Sequence, residues 1–183
     1  KARISGSGDT LAIDYQFTNG GAGPVLVTNK IWRMVEGKAK IDPDFVYAHV
    51  NSDGLLAIYK TMPNIPEGKS PTNLVAPYMT KVEGGDRLSE SITLQLPLLP
   101  YQEYFNNEPA ADSDGNKLVQ TVKEVAFGLA FFVPPEGSKI WHEKAFGENV
   151  DLFHNPPGKR AQYGVLWSER FKVSVPVFRR TET

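Results

Sequence analysis

The 183-residue sequence contains no cysteine. That excludes a disulfide framework, a thiol nucleophile and every thiolate metal site, and it leaves the compartment open. It also lacks any block of one charge sign, with 20 basic against 21 acidic residues and a net charge of −1. The densest basic clusters are the isolated pairs Lys159-Arg160 and Arg179-Arg180. Nucleic-acid binding needs a basic stripe that releases counterions from phosphate, so no nucleic-acid partner is expected. No apolar run approaches the ~20 residues that carry a helix across a bilayer. The longest, Val125 to Val133, contains Gly128 and reads as a strand. Helical periodicity is missing as well. The best candidate, Lys117 to Glu124, places Val119, Val122 and Lys123 on no single face. Reaction motifs are absent: there is no Gly-x-Ser-x-Gly elbow, no Ser-x-x-Lys pair and no phosphate-cradling glycine motif after a strand.

What is present is a rhythm of two. Leu11, Ile13, Tyr15 and Phe17 alternate with Ala12, Asp14, Gln16 and Thr18, the pattern of a half-buried strand. Ile92, Leu94 and Leu96 alternate in the same way with Ser91, Thr93 and Gln95. In Val125 to Val133 the intervening residues are also small or apolar, which predicts the most buried strand of the domain. Pro24 to Trp32 forms another candidate, in which Asn29 shares a face with Val25, Val27 and Ile31. A polar residue there demands a bulge, a buried hydrogen bond or a different register. Phe45 to Val50 and Leu55 to Thr61 flank Asn51-Ser52-Asp53-Gly54, a hairpin signal of type I′. A loop of two or four residues would put Phe45, Tyr47 and His49 on one face with Leu56 and Ile58. Shorter candidates lie at Lys139 to His142 and Tyr163 to Trp167. Phe171 to Val177 closes the chain, and Pro176 makes it an edge or a frayed end.

These elements predict one all-β domain over residues 1–183, a two-sheet antiparallel sandwich of seven to nine strands. Residues 1–9, with Ser5-Gly6-Ser7-Gly8, are expected to form a flexible arm. Two long Pro-rich loops, Pro63 to Pro77 and Pro97 to Lys117, complete the plan, and loops of that length are often functional. Forty per cent apolar residues suffice for a core, so neither metal nor disulfide is needed to hold the fold. The chain opens at Lys1 without Met, and removal of an upstream segment is expected, by cleavage of an export signal or by trimming.

Candidate chemistry is sparse. Asp112, Asp114 and Asn116 place oxygens at alternate positions, as a calcium loop would. Lys117 and Lys123 stand where an EF-hand needs Gly and Glu, so a plain Asp-Gly turn competes with the metal reading. The three histidines, His49, His142 and His154, have no spacing that forces convergence. Trp32, Trp141 and Trp167, with Tyr101, Tyr104 and Phe105, fall at strand ends or in loops. Planar rings there can stack on sugars or anchor a partner, or they can fold back and plug the ends of the sheets.

The opening, Leu11-Ala12-Ile13-Asp14-Tyr15-Gln16-Phe17-Thr18-Asn19 followed by Pro24-Val25-Leu26-Val27, resembles the start of bacterial immunoglobulin-like sandwiches. Gly84-Gly85-Asp86 before Leu88 to Leu96 is similar to a later turn and strand of those domains. The whole resembles small exported bacterial proteins of unassigned role. The resemblance implies the fold and a secreted or periplasmic setting, and it transfers no catalytic residue. The expected function is a non-catalytic binding or accessory domain, without cofactor, that meets a protein or glycan through a sheet edge or its long loops. The alternatives are a carbohydrate-binding module using Tyr101, Tyr104, Phe105, Trp141 and Trp32, and a metal-assisted hydrolase.

Overall fold

The structure, a computed structural model, describes residues 1–181. Among these there is no helix, and the chain forms fourteen strands. The first seven are β1 (Ala2–Ser7), β2 (Thr10–Thr18), β3 (Val25–Lys30), β4 (Trp32–Val35), β5 (Lys38–Ile41), β6 (Tyr47–Val50) and β7 (Leu55–Lys60). Then come β8 (Tyr78–Val82), β9 (Arg87–Gln95), β10 (Val119–Val133) and β11 (Lys139–Ala145). The chain ends with β12 (Glu148–His154), β13 (Gln162–Trp167) and β14 (Phe171–Phe178).

The strands form a nine-stranded mixed sheet, a three-stranded sheet β1-β2-β9 and a two-stranded hairpin β4-β5. The nine-stranded path runs β11-β12-β8-β3-β10-β7-β6, with β13 and β14 both on β10. The predicted all-β class is what the chain adopts, with more strands than the expected seven to nine. The expected antiparallel plan is broken at one ladder: β7 runs parallel to β10, from Leu55 opposite Glu124 to Lys60 opposite Leu129. One apolar core joins the two larger sheets. Leu11, Ile13, Tyr15 and Phe17 from β2 and Ile92 and Leu94 from β9 meet Leu56, Ile58, Val125, Phe127 and Leu129 of the main sheet. Each such aliphatic or aromatic side chain, fully buried, contributes about 1.5–3 kcal/mol.

The alternation of β2 and β9 therefore reads directly in space. The segment expected as an arm does not hang free: Ala2 to Ser7 pairs with Tyr15 back to Thr10, and Ile4 enters the core. Lys117 to Glu124, a poor helix, supplies the first half of β10. In β3 the Asn29 question is answered twice, by a register shift between Val27 and Lys30 and by buried hydrogen bonds from Thr28 and Asn29.

The β6–β7 hairpin corrects one face assignment. Asn51 N–H donates to Leu55 O (2.8 Å) and Gly54 N–H to Asn51 O (3.0 Å), with Gly54 at φ 85°. Neither Ser52 nor Asp53 has positive φ, so the loop is a three-residue turn closed by a glycine bulge and not type I′. An odd loop moves the register by one. Tyr47 then faces Tyr59 and His49 faces Ala57. Val46 and Ala48, not Phe45, Tyr47 and His49, share the core with Leu56 and Ile58.

The loop between β9 and β10 straps one end of the main sheet. Leu98 bridges to Val177 of β14, Ala48 N–H of β6 donates to Tyr101 O (2.8 Å), and Ala110 N–H donates to Arg179 O (2.7 Å). Around Pro176 the outer side of β14 hydrogen-bonds this loop, with Leu98 N–H donating to Pro176 O (2.9 Å).

Candidate functional site

β10 is fifteen residues long, and one side of it is lined in succession by β14 and β13. Between them Ser168 interrupts the ladder: its N–H donates to Phe127 O (2.8 Å) and its hydroxyl accepts from Phe127 N–H (3.0 Å). Arg170 steadies the break by pairing with Asp53 (2.9 Å) and Glu124 (3.3 Å). Beyond the break, β13 pairs with β10 and with nothing else: among the described residues no backbone hydrogen bond reaches its other side. Its sequence, Gln162-Tyr163-Gly164-Val165-Leu166-Trp167, carries no charge.

Three of those six side chains are large, apolar and open to solvent: Tyr163 is 45% exposed, Leu166 54% and Trp167 51%. Two glycines shape the neighbourhood by absence of a side chain. The Phe131 ring lies over Gly164, where a Cβ would meet it at 2.7 Å, and the Trp167 ring lies over Gly128, where a Cβ would meet it at 2.8 Å. Trp167 also meets Tyr59 edge-on at 6.0 Å. Alongside β13 a cleft of about 650 Å³ opens between the sheets. Its walls are Tyr15, Phe17, Phe127, Leu129, Leu166 and Phe171, and Lys1, Gln16, Ser168 and Glu169 supply polar groups.

Tyr15 of this cleft belongs to a buried polar network. Its hydroxyl donates to Glu90, whose other oxygen accepts from Asn29 Nδ2 (2.7 Å). Nearby, Lys60 is 1% exposed, and its ammonium donates to Asn29 O (3.0 Å) and Pro43 O (2.7 Å). Burial lowers the pKa of Lys60, opposed by the carboxylates of Glu90, Asp44 and Asp42. Burial, then the charge of Glu90, raises that of Tyr15. The Asn29–Glu90 bond joins the two sheets, Tyr15 and Glu90 being neighbours within one of them, while the buried Asn29 Oδ1 has no partner. Such a network fixes how the layers register, because an unpaired buried charge would be costly.

The aromatics expected to bind ligand have mixed positions. Tyr101 packs on Phe45 (5.3 Å) and Tyr47 (6.4 Å), and its hydroxyl donates to Glu103 (3.3 Å). Burial and that carboxylate push its pKa up to about 12. Tyr104 joins the two long loops, its hydroxyl accepting from Val75 N–H (2.6 Å) and its carbonyl from Lys69 Nζ (2.6 Å). Phe105 lies beneath the Arg180 guanidinium at 5.7 Å. Trp32 packs with Phe146 (5.7 Å) in a small second core, and its indole donates to Ala76 O. Trp141 stands half-exposed on β11, donating to Glu143 (3.1 Å). Tyr101, Tyr104 and Phe105 thus share the strap, while Trp32 and Trp141 lie elsewhere.

The Asp112 carboxylate accepts from the backbone N–H groups of Asp114 (2.9 Å) and Asn116 (2.8 Å) and from Asn116 Nδ2 (3.1 Å). Those bonds, led by Asn116, hold its pKa down. They make an Asx-type turn. His49 contacts Tyr59 Oη (3.2 Å) and His142 pairs with Asp151 (2.9 Å), while His154 lies at the far end of the β11–β12 hairpin. No group of three or more His, Asp or Glu side chains placed to hold a metal occurs among the described residues.

Leu166, Tyr163 and the cleft escaped the sequence reading. The available signal was an uncharged, apolar six-residue strand with no polar alternate face, near the end of the chain. The chain has no significant match to protein-family models, curated proteins or solved structures.

Proposed function

We propose that this chain is a non-catalytic binding domain, in the setting of an exported bacterial protein, that holds an apolar partner in the cleft beside β13. The observation that carries the reading is the conjunction of that cleft with Leu166 exposed on its wall. Exposed apolar surface bordered by polar groups is the usual mark of an interaction site. The facing of β1-β2-β9 by the main sheet across one core supports an immunoglobulin-like, two-layer scaffold, modified by the parallel β7–β10 pair. The non-catalytic reading draws support from the Tyr15 hydroxyl, the Glu90 carboxylate and the Lys60 ammonium, which are tied to Asn29 Nδ2, to each other and to backbone carbonyls.

A thermal-shift panel of peptides, oligosaccharides and divalent cations, read together with tryptophan fluorescence, tests this. A ligand that binds only the folded chain raises its midpoint. The expected result is a rise with apolar peptides that Leu166→Glu abolishes. A rise with oligosaccharides that Trp141→Ala abolishes, or with metal accompanied by hydrolytic turnover, would replace this reading.

A further inference from the structure

We infer that the partner binds as an extended polypeptide strand added to the free side of β13, with alternate side chains in the cleft. The inference rests on the cleft being the binding surface and goes on to name its occupant.

The first support is the backbone. Antiparallel ladders alternate pairs that exchange hydrogen bonds with pairs that do not. Ser168 N–H donates to Phe127 O, which sets the phase. Counting back along the ladder, Leu166 and Gly164 exchange bonds with Leu129 and Phe131, whereas Trp167, Val165 and Tyr163 direct their N–H and C=O groups away from β10. Thr28 Oγ1 donating to Ala130 O (3.1 Å) fits, since Ala130 faces Val165 and sends its carbonyl to the opposite side. A row of donors and acceptors at strand spacing is complementary to another strand, and neither a sugar nor an acyl chain reproduces it.

The second support is how the other edges of the nine-stranded sheet are treated. β11 is lined with Lys139, His142, Glu143 and Lys144, β6 is covered by Tyr101, and the far half of β14 by Leu98. Charge and cover are the usual protections against edge pairing. β13 has neither, and no proline.

The third support is the fit of side chains. Leu166 lies on the cleft side of β13, and the Phe131 ring leans over Gly164 on the same face. A strand laid beside β13 would send every second side chain against them. Six residues of edge span about 20 Å, enough for three such side chains. The occupant is a segment of six or so residues with apolar groups at alternate positions and no required charge.

The test pans a displayed library of random octapeptides against the intact, immobilised domain and resynthesises the strongest binder. Enrichment of period-two apolar sequences is expected. N-methylation of alternate peptide nitrogens should weaken binding about tenfold per position, with the intervening positions indifferent. Val165→Pro, which removes an outward donor without touching the ladder to β10, should weaken it by at least as much. If the peptide binds, Leu166→Glu abolishes binding, but N-methylation is tolerated throughout, strand addition is wrong and the cleft reading survives. If Leu166→Glu binds as well as the parent, the cleft reading fails too. An absence of enrichment overturns the strand, and the thermal-shift panel then decides the cleft independently. A concentration-dependent dimer in sedimentation that Val165→Pro abolishes would place a second copy on the edge and overturn the peptide. Should Val165→Pro fail to fold, the N-methyl series on the parent domain decides between strand addition and its absence.

Discussion

Two aromatic clusters on the main sheet have opposite fates. At the strapped end, Tyr47 and Phe45 of the β6 segment are sealed by Tyr101, and Gln102 bridges Tyr59 to Arg180 (3.0 and 2.7 Å). At β13, Tyr163, Leu166 and Trp167 have the same greasy character and no such cover. Both sites are edges, and both present apolar side chains. The difference is a loop: the segment between β9 and β10 takes the outward Ala48 N–H of β6 through Tyr101 O, and no such bond among the described residues reaches β13. Covered aromatics stabilise the fold. Uncovered ones are available to a partner.

Removing the cover should have the largest effect. Tyr101→Ala would empty the space between Phe45 and Tyr47 and loosen the strap, with a loss of about 2–4 kcal/mol in urea unfolding, large-to-small losses being of that order. A loss below about 0.5 kcal/mol would mean that the strap rests on the sheet without holding it.

Acid should next separate the two ends. Burial holds the pKa of His49 below its usual 6.5, with an Asn51 hydrogen bond opposing and Arg180 reinforcing. Beneath pH 6.5 the unfolded chain then binds the proton more readily than the folded one, so stability falls as the pH drops through that window. Urea midpoints between pH 7 and pH 5 should decline, and His49→Gln should flatten the slope. β13 carries no group that titrates there, so Leu166→Glu should leave the His49 step in place.

Smaller effects sharpen the contrast. Tyr47 is 1% exposed and its hydroxyl has no partner. Tyr47→Phe should therefore be neutral or stabilising by about 1 kcal/mol, because an unpaired buried polar group is lost. Leu166→Glu should change stability least, within about 1 kcal/mol, its side chain being more than half in water. A larger loss would mean that Leu166 belongs to the core.

The sequence made some of this legible and hid the rest for physical reasons. β2 and β9 were readable because their alternation reports one face buried against the main sheet, and the centre of β10 because its continuous apolar run reports burial on both faces. β1 was not, because its Ser and Gly residues have no apolar rhythm and become a strand only by pairing with β2, where Gly6 lets Val173 approach. The faces of β6 and β7 turned on one residue of loop length. The parallel β7–β10 ladder joins segments far apart in the chain, so no local pattern announces it. The same holds for the site. Tyr101 and Trp167 are both aromatics at the margins of strands, and only the path of another segment decides which is covered.

Hydrogen exchange of individual amides in the free protein tests the uncovered edge most directly. The amides of Tyr163, Val165 and Trp167 should exchange quickly, those of Gly164 and Leu166 slowly, and that of Ala48 slowly beneath the Tyr101 carbonyl. Uniform protection along Gln162 to Trp167 would mean that β13 is already covered, and the account of a strand awaiting its partner would be wrong.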